Sequence, residues 1–133
     1  MARAFAPILK KNGGGAIINV LSEAAWVNAP FVGAYSASKA AAWSMTQGIR
    51  AELREQKTHV LAVFPSSTDT EMLAGLDGEK ENPREVAEAI LCGLQKDKEE
   101  LSVGRHAKHF EKLTRSDPKA AEAEFAQFLP GTA

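Results

Sequence analysis

The stretch GGGAIINVL at residues 13–21 decides the fold of this chain. Its apolar part is rich in β-branched residues and does not alternate with polar ones, which is typical of a strand buried on both faces of a parallel sheet. A second run of this kind is HVLAVF at 59–64, and a shorter third one follows at 101–104. Three such runs predict three parallel strands.

Helical patterns separate the predicted strands. The stretch 33–56 contains no proline and is rich in alanine, which predicts a helix of about six turns. Residues 2–11 carry apolar side chains at helical spacing, and residues 82–98 begin with an N-cap asparagine and a proline before an apolar stripe. Strands that alternate with such helices are joined by right-handed crossovers into one parallel sheet. A last helix is predicted after Pro118, and its apolar residues are Phe125, Phe128 and Leu129.

Composition excludes several classes of protein. The chain has 133 residues, with sixteen basic and seventeen acidic side chains and a net charge of −1, which argues against a nucleic-acid partner or an anionic membrane surface. No apolar run approaches the roughly 18 residues of a membrane span, and the first residues lack the layout of a signal peptide. The single cysteine, Cys92, excludes an intrachain disulfide framework and fits a reducing compartment, so we expect a cytoplasmic protein.

Three residues form a candidate catalytic group. Tyr35 and Lys39 lie four apart at the start of the predicted helix, so their side chains share one face, about 5–6 Å apart at Cβ. An ammonium at that distance favours the phenolate form, which suits a general acid–base catalyst. Ser22 follows the first strand, and open α/β sheets bind ligands at the carboxyl ends of their strands. Together the three predict a carbonyl-reduction site, although the Tyr–Lys pair alone also fits surface packing and Ser22 a strand-end turn.

These motifs together resemble the short-chain dehydrogenase/reductase family. The resemblance rests on GGGAIINVLS at 13–22, AYSASKAA at 34–41 and PSSTDT at 65–70, and it extends more loosely to residue 104. It implies a Rossmann-like sheet and an oxidoreductase that interconverts a small-molecule carbonyl and alcohol with NAD or NADP.

The resemblance also assigns roles to individual residues. Tyr35 would exchange a proton with the substrate oxygen, Lys39 would support Tyr35 and bind the nicotinamide ribose, and Ser22 would polarise the carbonyl. The residues expected to lie against the nicotinamide carboxamide are Pro65, Ser66, Thr68 and Thr70, with Ser66 in the place of the family's glycine. Thr70 equally fits the cap of a short helix. The substrate side would be lined by Trp26, Val27, Phe31 and the segment 71–80.

Part of the family pattern is not found in these 133 residues. The glycine-rich turn that cradles the pyrophosphate, and the residue that selects the ribose or its 2′-phosphate, do not occur. By the resemblance, residues 1–133 form a single partial domain, the C-terminal half of the fold, with the dinucleotide-binding half preceding it. We therefore expect the chain alone to lack dehydrogenase activity.

An alternative function is a non-catalytic dimerisation module. In the family, the helices that correspond to 2–11 and 33–56 pack against their mates in a second subunit, which implies a homo-oligomer. On the longer helix, Ala40, Ser44 and Gly48 are small residues that allow close approach. The sequence leaves the substrate, the choice of NAD or NADP, the reaction direction and the oligomeric state open.

Four further polar residues have simpler interpretations. Asn19 lies within a predicted strand and needs a partner for its amide, which indicates a structural role. Cys92 lies on an apolar helix and is expected to be a small core residue. His106 and His109 share a helical face but have no third ligand at clear spacing, so they predict a solvated helix and no metal site.

Overall fold

The protein is described here by a computed structural model of residues 1–127. Its strands β1 (Gly15–Val20), β2 (Thr58–Pro65) and β3 (Glu100–Val103) form one parallel sheet in that order. The α-helices are α1 (Ala2–Lys11), α2 (Gly33–Leu53), α3 (Pro83–Gln95), α4 (Arg105–Ser116) and α5 (Pro118–Ala126). Short 3₁₀ turns lie at Glu23–Ala25, Pro30–Val32 and Glu71–Leu73. The predicted α/β fold with three parallel strands is confirmed.

The central strand β2 forms the core of the sheet. Residues 60–64 are almost entirely inaccessible to solvent because β2 pairs on both sides and is covered on both faces. The prediction of a strand buried on both faces is correct for β2 and wrong for β1, whose residues are half-buried or exposed. Within residues 1–127, β1 pairs with β2 alone, and this difference in pairing accounts for the difference in burial.

Alternate side chains of β2 enter two different packing layers. On one face, Phe64 stacks on Trp26, with ring centroids 4.3 Å apart, and meets the edge of Trp43 at 5.7 Å. On the other face, Leu61 and Val63 pack with Val86 of α3 and Val103 of β3. A third cluster, built around Phe110 and Phe125, joins α4 to α5.

Polar contacts fix α2 against the sheet. The Asn19 amide on β1 donates to Thr46 Oγ1 at 2.9 Å, and Thr46 donates to the carbonyl of Ala42 at 2.7 Å. Arg50, one turn later, donates from Nε to the Val60 carbonyl at 3.0 Å and from Nη2 to the Glu99 carbonyl at 2.6 Å. The predicted structural role of Asn19 is confirmed, and these contacts set the position of α2 across the sheet.

The helices differ from expectation in local burial. Cys92 is exposed on α3, so its prediction as a core residue is wrong. Leu91 is also exposed, because the buried side of α3 is the one that carries Val86. Among residues 1–127 no helix is both long enough and apolar enough to cross a bilayer. Phe128 and Leu129 lie outside the described residues.

Candidate active site

The carboxyl ends of β1 and β2 meet at one edge of the sheet. Val20 pairs with Val63, and the Leu21 amide extends the ladder by donating to the Val63 carbonyl at 2.7 Å. Ser22 comes directly after this point, and Pro65 ends β2 two residues beyond Val63. Because the strands are parallel, the segments that follow them leave from the same edge, where open α/β sheets bind ligands.

Ser22 occupies the start of the Glu23–Ala25 turn. Its hydroxyl oxygen accepts a hydrogen bond from the Ala24 amide at 3.2 Å, which caps the turn. The side chain is partly exposed. A hydroxyl that accepts from the backbone keeps its own proton for donation to a ligand.

Tyr35 and Lys39 lie on the first two turns of α2. Lys39 Nζ donates to the Val20 carbonyl at 3.2 Å and lies 5.5 Å from the centroid of the Tyr35 ring. Ser36, between them, is buried and accepts from the Ala29 amide at 3.1 Å, which ties the preceding loop to the helix. The structure thus brings Lys39 to the end of β1, two residues before Ser22, with the exposed Tyr35 beside it.

The segment Pro65–Thr70 is folded by its own hydrogen bonds. The Ser66 amide donates to the Val103 carbonyl at 2.8 Å, and the Ser66 side chain is buried. Thr68 donates from Oγ1 to the Ser66 carbonyl at 3.0 Å, and it forms an isolated parallel bridge with Glu81. Thr70 precedes the Glu71–Leu73 turn, but its hydroxyl donates back to Thr68 and does not cap that turn.

A cavity of about 650 Å³ opens beside this segment. Phe31 and much of the segment 71–80 line it, together with Ser66 and Ser67. Two other residues predicted to line it do not do so. Trp26 stacks on Phe64, and Val27 is buried in the cluster around Phe110, because the loop after Ser22 folds inward over the core.

Glu23 and His106 form a contact that the sequence patterns did not indicate. The Glu23 side chain is buried, and its Oε1 lies 2.6 Å from His106 Nδ1 on α4. Burial raises the pKa of the Glu23 carboxyl above its ordinary value, and the opposing effects of His106 and Ser66 do not cancel it. The prediction of His106 as part of a purely solvated face is wrong. The two residues are 83 apart in sequence, so no local spacing reveals the contact.

His109 is likewise engaged, although closer to the surface. Its Nε2 lies 2.9 Å from Glu124 Oε1 of α5, and both side chains are about half exposed. No group of three potential metal ligands occurs among residues 1–127.

Three side chains that can donate hydrogen bonds lie near the end of β1. An ammonium, a phenol and a hydroxyl are donors suited to a ribose and to a carbonyl oxygen, and Lys39, Tyr35 and Ser22 supply them at the end of β1. The backbone after β2 borders the same edge. The pyrophosphate end has no counterpart in the printed sequence, since no G-x-G-x-x-G turn follows a strand.

Known structures share this arrangement of strands and helices. A crystal structure of a short chain dehydrogenase from Burkholderia cenocepacia J2315 in complex with NADP is 42% identical, with a TM-score of 0.90, over 98% of this chain and 54% of that one. A short-chain dehydrogenase from Sphingobium yanoikuyae in complex with NADPH is 29% identical, with a TM-score of 0.69, over 99% of this chain and 53% of that one.

Curated proteins agree with the structural comparison. An uncharacterized oxidoreductase of Staphylococcus aureus (strain N315) is 32% identical over 100 residues, which are 73% of this chain and 43% of that protein. One from Staphylococcus saprophyticus is 34% identical over 95 residues, 69% of this chain and 41% of that protein. The chain therefore spans less than half the length of these relatives. The family model described as short chain dehydrogenase matches residues 1–81. This chain belongs to the short-chain dehydrogenase family.

Proposed function

We propose that this chain carries the catalytic residues of an NAD(P)-dependent oxidoreductase that interconverts a small-molecule carbonyl and an alcohol. The observation that carries the proposal is the position of Lys39. Its ammonium is anchored on the Val20 carbonyl and lies 5.5 Å from the Tyr35 ring, at the strand end that Ser22 follows.

Each of the three side chains has a distinct task in this proposal. The nicotinamide, when bound, supplies or accepts the hydride. Ser22 donates a hydrogen bond from its hydroxyl to the substrate oxygen and so polarises the carbonyl, since its lone pair already accepts from Ala24. Tyr35 gives a proton to that oxygen during reduction and takes it back during oxidation. Lys39, which lies beside the Tyr35 ring, binds the ribose hydroxyls.

The nicotinamide would lie against the segment Pro65–Thr70. Ser66 turns its side chain inward and its amide donates to Val103, so its carbonyl, which has a second lone pair beside the bond from Thr68, would accept from the carboxamide, with the half-buried Thr68 and the exposed Thr70 next to it. The two solved relatives named above hold NADP or NADPH, which supports NADP(H) as the first cofactor to test. The domain would be the catalytic half of the fold, so we expect the 133-residue chain alone to bind cofactor weakly and to turn over slowly or not at all.

Thermal melting with cofactor tests this proposal. A ligand at about 100 times its dissociation constant stabilises a protein by about 2.7 kcal/mol, or roughly 10 °C for a chain of this size. We expect millimolar NADP(H) or NAD(H) to raise the melting temperature. Reduction of a panel of carbonyl compounds should then fall by about 10²- to 10⁴-fold in Tyr35→Phe, which keeps the ring and removes the hydroxyl.

A matched variant controls for damage to α2. Ser38→Ala removes a nearby hydroxyl that donates to the Tyr35 carbonyl, and it should retain both the cofactor response and turnover. Absence of any cofactor response in a cooperatively folded chain would contradict the proposal for this polypeptide. Equal turnover in Tyr35→Phe and the native chain would contradict the role of Tyr35.

A second candidate function is homo-oligomerisation through α1 and α2. On α1, Phe5 and Ile8 are half exposed; on α2, Met45 is 67% exposed and nothing lies within 4 Å of the position a Gly48 side chain would take. Sedimentation velocity over a range of concentrations tests this surface. We expect Met45→Lys to dissociate any oligomer, whereas a monomer at every concentration would contradict this function.

A further inference from the structure

A buried carboxylate joins three segments around the candidate site. Glu23, the residue after Ser22, is 8% exposed and lies under the loop that follows β1. Its Oε1 is 2.6 Å from His106 Nδ1 at the start of α4, and its Oε2 is 3.5 Å from the Ser66 hydroxyl after β2. Glu23 therefore contacts both neighbouring segments from the position next to Ser22.

Ser66 extends this contact into the backbone of α4. The first amides of a helix have no partner within the helix, and Gly104 at the N-cap of α4 has no side chain to satisfy them. The Ser66 hydroxyl accepts from the Ala107 amide at 2.8 Å and so caps α4 from another segment. The same hydroxyl points its proton toward Glu23, so one side chain connects the carboxylate with the helix.

Gly104 leaves the space that this arrangement needs. Its φ of +96° favours glycine, and a Cβ built there would lie 2.5 Å from Ser66 Oγ and would also overlap the Glu81 carboxylate. That carboxylate accepts from the Arg105 amide at 3.3 Å, which satisfies a second amide of the first turn. The start of α4 is thus held by two side chains that come from the connection after β2.

We propose that Glu23 is a positioning residue that holds the turn carrying Ser22 at a fixed distance from the segment Pro65–Thr70. It acts through Ser66 and His106 and touches neither substrate nor cofactor. The inference rests on the proposed function, because it assigns Ser22 and Pro65–Thr70 to the two sides of one reaction site. It also gives a use to Ser66, which stands where the family pattern has glycine.

The electrostatics make the arrangement sensitive to pH. Burial raises the pKa of Glu23, as does the negative charge of Glu81, while hydrogen bonds and charge from His106 and the bond from Ser66 act in the opposite direction. Within residues 1–127, His106 on α4 and Glu81 on the connection are the charged groups that act on Glu23. As the pH falls through the raised pKa, the carboxylate gains a proton and its attraction to His106 weakens.

Amide NMR spectra of the intact chain test the inference directly. Glu23→Gln keeps the size of the side chain and removes its charge, and Ser66→Ala removes only the bridging hydroxyl. We expect each variant to shift amide signals in all three segments, at 22–25, 66–70 and 105–107. The acid-range pH dependence of these signals in the native chain should disappear in Glu23→Gln.

A surface His–Glu pair provides the matched control. Glu124→Gln removes the negative charge beside His109 and should leave the signals of 22–25 and 66–70 unchanged. Where the native chain turns over a carbonyl substrate, Glu23→Gln should lower kcat at least tenfold with less than a twofold change in the KM of the cofactor. Glu23→Asp, which restores the charge, should recover part of the loss.

The outcomes separate this inference from the proposed function. Signal changes confined to residues 22–26 in Glu23→Gln would overturn the positioning role, as would an unchanged kcat in a chain with measurable turnover. A native chain without turnover or cofactor response would count against the proposed function. The spectra of the three segments would still decide whether Glu23 connects them.

Discussion

Replacing Thr46 by valine should weaken the attachment of α2 to the sheet. Thr46 is fully buried, and its hydroxyl accepts from the Asn19 amide at 2.9 Å while donating to the Ala42 carbonyl at 2.7 Å. Valine fills nearly the same volume but leaves the Asn19 amide without an acceptor. An unsatisfied buried donor costs about 1–3 kcal/mol, and because Asn19 is only half-buried we expect about 1–2 kcal/mol.

Thr114→Val is the matched control for this loss. Thr114 also donates to a carbonyl of its own helix, that of Phe110, at 2.7 Å, and it is half-buried on α4. The carbonyl of Phe110 keeps its helical partner, so we expect a change below about 0.5 kcal/mol.

Urea denaturation of both variants and the native chain gives the free energies of unfolding. At roughly 4 °C per kcal/mol for this size, Thr46→Val should also melt about 4–8 °C lower than the native chain. If the two valine variants were equally stable, the Asn19–Thr46 bond would not hold α2, and the position of Lys39 would need another explanation. A shift of the Lys39 side-chain signals in Thr46→Val alone would support the connection between this bond and the site.

Three further predictions concern the framework. Arg50→Met should lower the free energy of unfolding by about 2–3 kcal/mol, since it removes charge-assisted bonds to two backbone carbonyls. The control Arg54→Met, at an exposed position nearby, should lower it by less than about 0.5 kcal/mol. Equal urea midpoints for the two variants would refute this prediction. Gly104→Ala should lower the free energy of unfolding by more than about 2 kcal/mol, because the added Cβ overlaps its neighbours and strains the backbone. The control Gly48→Ala, in open space on α2, should raise it by about 0.5–1 kcal/mol. A stabilised Gly104→Ala would contradict this prediction. Because the pKa of Glu23 is raised in the fold from 4.5, its contribution to stability is complete below about pH 4.5 and is lost as the pH rises through the raised value. Glu23→Gln should therefore gain stability relative to the native chain as the pH rises above about 4.5, and a relative loss would contradict the burial effect.

The sequence predicts those features that depend on neighbours along the chain. The β-branched runs predict β1 and β2, and the i, i+4 spacing of Tyr35 and Lys39 predicts that they lie side by side on α2. Ser22 could be placed at a strand end for the same reason. These patterns arise from backbone geometry with a fixed period, so they are visible without knowledge of the tertiary structure.

The features that the sequence did not reveal depend on distant segments. Glu23 is buried because α4, which begins more than 80 residues later, packs against it. Cys92 is exposed because the opposite side of α3 faces the sheet. The exposure of β1 follows from its pairing with one strand only within the described residues. Val27 could not be assigned to the core because the loop that carries it folds inward onto Phe110, a contact without periodicity.

The candidate site is divided between two parts of the structure that are fixed independently. The positions of Tyr35 and Lys39 are set by α2, which is held to β1 by Thr46 and to β2 by Arg50. The position of the segment Pro65–Thr70 is set by the end of β2 and by its contacts with the start of α4. Ser22 lies between them, on a short turn whose own hydrogen bond is local.

A shift of about an ångström in the turn that carries Ser22 is enough to misplace a hydroxyl that must face the substrate oxygen. Glu23 adds a polar long-range contact to the apolar packing of Ala25 against the core, and it does so with a charge whose burial lowers the stability of the fold above pH 4.5. A glutamine of the same shape avoids that cost, whereas the carboxylate attracts the His106 ring and accepts from Ser66 at once. Stability alone therefore does not account for a carboxylate at this position, which agrees with the role proposed for Glu23 in holding Ser22 against Pro65–Thr70.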